Sequence, residues 1–300
     1  MDLSFFTIAE TPPTSETPPP ETPESPGSAV LDPTPMACSS WSDNQMHGVA
    51  LAGALARSAQ AALADLGRDD LQPARMSVDL FRPAAMVPCS FDTEVVRDGP
   101  RICLIDVTMR QGGERVARAG FLFLKASTSA PGEVWSPVAS ERPVPPPLEV
   151  APVSDQPRVP FVHSEAGWSQ NFSEHQNASR KQTWNSAVPV VAGEPLTPFQ
   201  AVAATADGAS MITNWGTGGV EYINTDITMV LARPPIGVEI GLCAVDRVEV
   251  DGIAVGTAAV FDRTGQLGTV VITSIVNAKR AVDFSDTHYD LDGTRRSVRE

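Results

Sequence analysis

Asp251-Gly252-Ile253-Ala254-Val255-Gly256-Thr257-Ala258-Ala259-Val260-Phe261 reads as a turn followed by a strand, and it decides the fold because its setting occurs twice in the chain. Asp-Gly between period-two runs is a strong hairpin signal. The alternation predicts one apolar face (Ile253, Val255, Thr257, Ala259, Phe261) and one small face (Ala254, Gly256, Ala258, with Val260). Upstream stand Arg233-Pro234 and more strand pattern; downstream a turn at Arg263-Thr264-Gly265 precedes Val270-Val271-Ile272. The same series runs from Arg82-Pro83 through Asp98-Gly99 and Gly112-Gly113 to Phe121-Leu122-Phe123-Leu124. The offsets are 151 residues for the Arg-Pro pairs, 153 for the Asp-Gly pairs and 152 for Gly113 against Gly265, so a half-length duplication explains all three. In the first copy Phe91, Thr93 and Val95 alternate with Asp92 and Glu94, the pattern of an antiparallel sheet with one wet face.

One helix is predicted ahead of each set of strands. Asp43 is placed to cap Asn44 to Leu66, and Thr197, with Pro198 at the first helical position, caps a second helix running to Asp207. Both are apolar around most of their circumference and rich in Ala, so each is expected to lie buried against a sheet. The fold class that follows is α+β, a double hotdog: two tandem units, each a long buried helix wrapped by an antiparallel β-sheet. The two sheets are expected to join side by side, because each alone would leave strand edges exposed.

A chain of 300 residues with 42% hydrophobic and 19% charged residues can bury a sizeable core, which excludes wholesale disorder, collagen and coiled coil. Proline clusters at Thr11 to Pro26 and between Pro131 and Pro160. The expected division is an N-terminal hotdog at 1–130 with a Pro-rich loop at 10–28, a Pro-rich linker at 131–158, a C-terminal hotdog at 159–283 and a charged tail at 284–300. The first cluster reads either as a long loop between two strands, Phe5 to Ala9 and Ala29 to Leu31, or as part of an N-terminal tail. A net charge of −14 makes nucleic acid and anionic membrane surfaces poor partners. No run approaches the roughly 20 apolar residues of a membrane span, and Met1 to Thr7 lacks the start of a signal peptide, so the N-x-S triplets at Asn171 and Asn177 are read as chance matches. Cys38, Cys89, Cys103 and Cys243 have no C-x-x-C spacing and are expected as reduced thiols in a cytoplasmic protein. No cofactor or metal is expected, and the assembly is expected to be a homo-oligomer.

Further strings carry a resemblance. Gln45-Met46-His47-Gly48-Val49-Ala50-Leu51-Ala52-Gly53-Ala54-Leu55, Phe81-Arg82-Pro83, Glu94-Val95-Val96-Arg97-Asp98-Gly99 and Arg110-Gln111-Gly112-Gly113 resemble the first half of acyl-CoA thioesterase II-like, double-hotdog proteins. Val191-Ala192-Gly193-Glu194-Pro195-Leu196-Thr197-Pro198, Asn224-Thr225-Asp226-Ile227-Thr228 and Leu231-Ala232-Arg233-Pro234-Pro235 resemble the second half. The similarity spans roughly Pro33 to Lys279, and the order and spacing of the motifs make it specific. It implies hydrolysis of fatty acyl-CoA by a water that an Asp, a Thr or Asn, and a Gln together orient. The Asp falls on Asp207 and the strand position on Asn224. The Gln position falls on Ile272 or Thr273, where the amide is missing. Either Thr273 supplies a hydroxyl in its place, or hydrolysis is slow or absent and the chain is a noncatalytic acyl-CoA or acyl-chain binding protein.

Independently of the resemblance, Asp207 is the only charge in a neutral helix and sits near its C-terminal end, where the helix dipole disfavours a carboxylate. Partial burial there would raise its pKa toward useful general-base strength; the bland reading is a solvent-facing acid beside a helix-closing Gly208. Asn224 could hold a water or a thioester carbonyl, or make an Asx turn. Asp226, two residues on, would share its face of an extended strand and support it. His47 and Gly48 stand near the first helix start, where backbone N–H groups bind a thioester oxygen, although a lone histidine is as readily a packing residue. His163, His175 and His288 are too dispersed for metal ligation, and no H-E-x-x-H or G-x-S-x-G occurs, which excludes zinc and serine hydrolases. A hotdog hydratase or dehydratase would want a histidine close to an acid in a recognisable motif, and none is present. Arg82, Arg233, Arg180 and Lys181 are the candidate cations for CoA phosphates.

Overall fold

The computed structural model describes residues 3–9 and 29–285, with the backbone of two further strands, Thr287–Tyr289 and Arg295–Ser297. The Pro-rich segment at Thr11 to Pro26 and most of the expected tail lie outside the described residues. Twelve strands form one antiparallel sheet: β1 (Gln72–Leu80), β2 (Ser90–Asp98), β3 (Ile102–Gln111), β4 (Glu114–Leu124), β5 (Arg158–Ser164), β6 (Gly167–Ser169), β7 (Gln182–Ser186), β8 (Tyr222–Asn224), β9 (Asp226–Leu231), β10 (Glu239–Val250), β11 (Ile253–Asp262) and β12 (Gly265–Val276). Their order is β6-β5-β7-β10-β11-β12-β9-β1-β4-β3-β2, with β8 also on β12. The set β1-β4-β3-β2 therefore recurs as β9-β12-β11-β10, and β9 pairs antiparallel with β1 (Ile227 opposite Val78) to join the halves side by side.

The sheet wraps α1 (Gly48–Asp65), α2 (Pro198–Ala206) and α3 (Gly208–Asn214), which share one apolar core with its inner face. This is the double hotdog the pattern predicts. Thr197 and Pro198 start α2 as expected, with a full capping box to Gln200. The start of α1 differs: Ser42–Met46 is a strand, and the cap is His47, whose Nδ1 accepts Ala50 N–H at 2.9 Å. The imidazole fills the role assigned to Asp43, because a strand ending in buried Met46 moves the first helical turn four residues on.

Two strand faces also differ from the pattern. On β11 the small face, Ala254 and Gly256 with Ala258, packs inward, with Gly256 against Thr213 of α3, and Ile253 and Val255 point out. The helix approaches too closely for larger side chains. On β2 only Phe91 is buried; Thr93 and Val95 are exposed, because β2 is the free edge of its half. The Asp251-Gly252 hairpin turn forms as read, with φ of 51° and 79°.

At the N-terminus Phe6–Ile8 pairs with Leu31–Pro33, so the strands flanking the Pro-rich segment meet, and Phe6 N–H and C=O bond Val190 and Ala192. The second proline cluster is mostly exposed around Val134 and Trp135, but its far end is anchored where Arg263 donates to Pro146 O and Ala151 O. The four cysteines are unpaired. Among the described residues no helix is long and apolar enough to cross a membrane, and no group of three His, Cys, Asp or Glu is placed to hold a metal ion.

Candidate active site

Asp207 sits where α2 passes into α3, and its side chain reaches across to the other half of the duplication. It lies flush against Gly48, the first residue of α1, and accepts the Val49 N–H. Only a residue without Cβ fits here, since a methyl group on Gly48 would overlap the carboxylate. Asn224 Nδ2 donates to Asp207 Oδ1 at 3.0 Å. Burial pushes the Asp207 carboxyl up to about 6, against the opposing pull of Asn224 and the Val49 N–H. Gly208 opens α3 rather than closing the helix, and Asp207 is half-buried with its carboxylate toward the cavity and not on the outer surface.

The carboxylate faces a cavity of about 400 Å³, whose wall includes Asn224, His47, Ser210, Trp41 and Phe172. His47 is held on both sides: Nε2–H donates to Met36 O at 2.8 Å while Nδ1 receives Ala50 N–H. Burial lowers its pKa, so the ring is a neutral cap rather than a free donor to substrate. Gly48 N–H, in contrast, has no partner among the described residues.

Of the expected site residues, Gly48, Asp226 and Thr273 do not line this cavity, Gly48 because it packs against the Asp207 carboxylate. Asn224 pairs with Ser274 and Thr228 with Val271, so three residues on one strand oppose two on the other, a β-bulge at Thr225-Asp226. The extra residue inverts the alternation: Asn224 points in and Asp226 points out, contrary to the expectation that they share a face. Asp226 Oδ1 instead accepts Thr273 N–H at 2.6 Å and fastens the bulge. Thr273 lies on that same outer face, so its hydroxyl cannot stand in for an amide beside Asp207. The inward neighbours on that strand are Ile272, fully buried in the core and the other position on which the resemblance can place Gln, and Ser274, whose hydroxyl accepts from Asn214 Nδ2 at 3.1 Å.

The candidate cations are also mostly committed. Arg233 makes a bidentate pair with Asp262 at 2.9 and 2.8 Å. Buried Lys181 donates to Asn177 O, Asn177 Oδ1 and Ser179 O, and burial lowers its pKa to about 8. Arg82 pairs with Glu114 on the surface, whereas Arg180 is exposed. Sequence reasoning missed the Val49 N–H and Ser210. Ser210 was legible in principle, since it stands three residues after Asp207 and so on the same helical face.

A duplicated α+β fold whose one sheet wraps the helices of both halves defines a double hotdog, here with a half-buried acid at the start of α1. Residues 38–124 match the family model for the acyl-CoA thioesterase N-terminal domain and residues 133–275 that for the C-terminal domain, so the chain belongs to the acyl-CoA thioesterase family and is a thioester hydrolase. Solved structures agree in fold. The tesB protein of Mycobacterium avium subsp. paratuberculosis is 16% identical at a TM-score of 0.59, over 85% of this chain and 96% of that one. Acyl-CoA thioesterase II TesB2 from Mycobacterium marinum is 18% identical at 0.55, over 76% and 90%. A hot dog fold protein of unknown function from Alicyclobacillus acidocaldarius is 19% identical at 0.58, over 83% and 92%. A search of curated proteins finds no match.

Proposed function

We propose that the protein hydrolyses fatty acyl-CoA to free fatty acid and CoA, with Asp207 as general base. The observation that carries this is the half-buried Asp207 carboxyl, raised to about 6, facing the cavity at the start of α1. At neutral pH it is ionised and accepts a proton from water as the water oxygen attacks the thioester carbonyl carbon. The oxyanion of the tetrahedral intermediate is met by the positive end of α1, where the Gly48 N–H has no partner among the described residues. The intermediate collapses with cleavage of the C–S bond, and protonated Asp207 returns its proton to the departing CoA thiolate. Asn224 fixes the carboxylate, and its Oδ1 remains an acceptor for the water.

Ile272 favours a second reading, a noncatalytic acyl-CoA or acyl-chain binding protein, because it puts hydrocarbon where the resemblance expects the third water-holding group. Mass spectrometry of a palmitoyl-CoA incubation separates the two. Fatty acid and CoA formed in proportion to protein support hydrolysis; intact ligand recovered bound supports the second reading. A panel from acetyl- to stearoyl-CoA then reports chain length. A cytoplasmic setting and a homo-oligomer belong to the same proposal.

A further inference from the structure

With Ile272 apolar and Thr273 turned outward, the water beside Asp207 lacks one of the groups needed to aim it. Asn224 spends its amide N–H groups on Asp207 Oδ1 and, at 3.4 Å, on Asp226 O. The opposite wall offers Ser210 on α3. It is 7% exposed, it lines the cavity, and its hydroxyl has no hydrogen-bond partner among the described residues. Its backbone is locked by Ser210 N–H to Asp207 O at 3.0 Å and by the side chains of Thr213 and Asn214, both of which bond Ser210 O. Side chains three apart on a helix stand about 5–6 Å from each other at Cβ, which leaves room for one water between carboxylate and hydroxyl. The hydroxyl is not among the buried side-chain atoms left without a partner, and Ser210 lines the cavity, so its oxygen is open to a water there.

We propose that Ser210 is a positioning residue for the hydrolytic water: its oxygen accepts one water hydrogen while Asp207 accepts the other, which turns a lone pair toward the thioester carbonyl. The arrangement supplies from the helix what the last strand no longer supplies. The inference rests on the hydrolase reading above, and the experiment separates the two failures.

Steady-state hydrolysis of the best acyl-CoA of the panel is measured for wild type, Ser210→Ala and Ser210→Thr, with thermal melts to confirm folding. A lost hydrogen bond to the water lowers kcat about tenfold, the equivalent of roughly 1.4 kcal/mol. The expected result is that loss in Ser210→Ala, with KM within about twofold and the acid limb of the pH profile unmoved, and recovery of most of the rate in Ser210→Thr, which restores a hydroxyl. Wild-type kcat in Ser210→Ala, or equal loss in Ala and Thr variants, overturns the role and leaves hydrolysis standing. An acyl group found on Ser210 in quenched wild type also overturns it, because the serine is then a nucleophile. Wild type inactive on every thioester overturns the hydrolase reading, and this inference with it.

Discussion

The missing methyl of Gly48 is what lets a carboxylate from the other half of the duplication rest on the first turn of α1. Gly48→Ala, at the first helical position where propensity counts little, is therefore expected to displace Asp207, lowering the melting temperature and cutting kcat at least about tenfold. Kinetics run beside a thermal melt check both halves of that statement. The Asp207 carboxyl also has a stability consequence. Its pKa is raised on folding to about 6, so the folded state prefers the protonated form. The penalty is fully present above about 6 and disappears as pH falls below the unfolded value, near 3.9. Asp207→Asn should accordingly melt higher than wild type at pH 8, with the difference shrinking toward pH 4. A variant that melts lower at pH 8 would show that the ionised acid is held by more than Asn224 and Val49.

At the level of elements, the site depends on a single extra residue at Thr225-Asp226, which turns Asn224 inward while Asp226 braces Thr273 outside. The bulge is not legible from alternation, which assumes a regular strand; this is why the shared face expected of Asn224 and Asp226 is not found. The faces of β11 misread for a similar reason, since close packing of α3 selects the small side chains and leaves Ile253 and Val255 in solvent. Helix starts are legible only where the cap is an ordinary one: Thr197 with Pro198 is found, and a histidine cap is not. The geometry predicts that Thr273→Gln leaves kcat unchanged, because the new amide faces away. Ile272→Gln points inward, and it should alter kcat while costing stability by burying an amide in the core. Parallel assays of the two variants decide which register the last strand holds, and a rate gain in Thr273→Gln would contradict it.

Across the whole molecule the duplication is complete in strand order but not in chemistry. Asp207 is the tenth residue counted from the first of α2, and the tenth from the first of α1 is Arg57, which makes a bidentate pair at 2.6 Å with Glu194 just before α2. The acid is thus present once, and its counterpart holds the halves together. Glu194→Gln would leave a buried guanidinium uncompensated; because Glu194 is itself about one-third exposed, the expected loss is about 2 kcal/mol in chemical denaturation, below the 3–5 of a fully buried pair, with kcat unchanged. The N-terminal strap is similarly asymmetric. Phe6 is fully buried and bonded to Val190 and Ala192, so Phe6→Ala should cost about 3–5 kcal/mol. Deleting Thr11 to Pro26, a segment with little apolar surface to bury, should barely move the melting temperature.

The central claim is that one half-buried carboxylate activates water against a thioester, and its most direct test is the pH dependence of kcat for wild type and Asp207→Asn on a fatty acyl-CoA, followed by CoA release from pH 4 to 9. Wild type should rise with pH to a plateau with its midpoint near 6, where Asp207 loses its proton. Asp207→Asn should lack that limb and turn over on the order of 100-fold more slowly or worse, with folding and ligand binding retained. Wild-type turnover in Asp207→Asn, or the same acid limb persisting in that variant, would contradict the assignment.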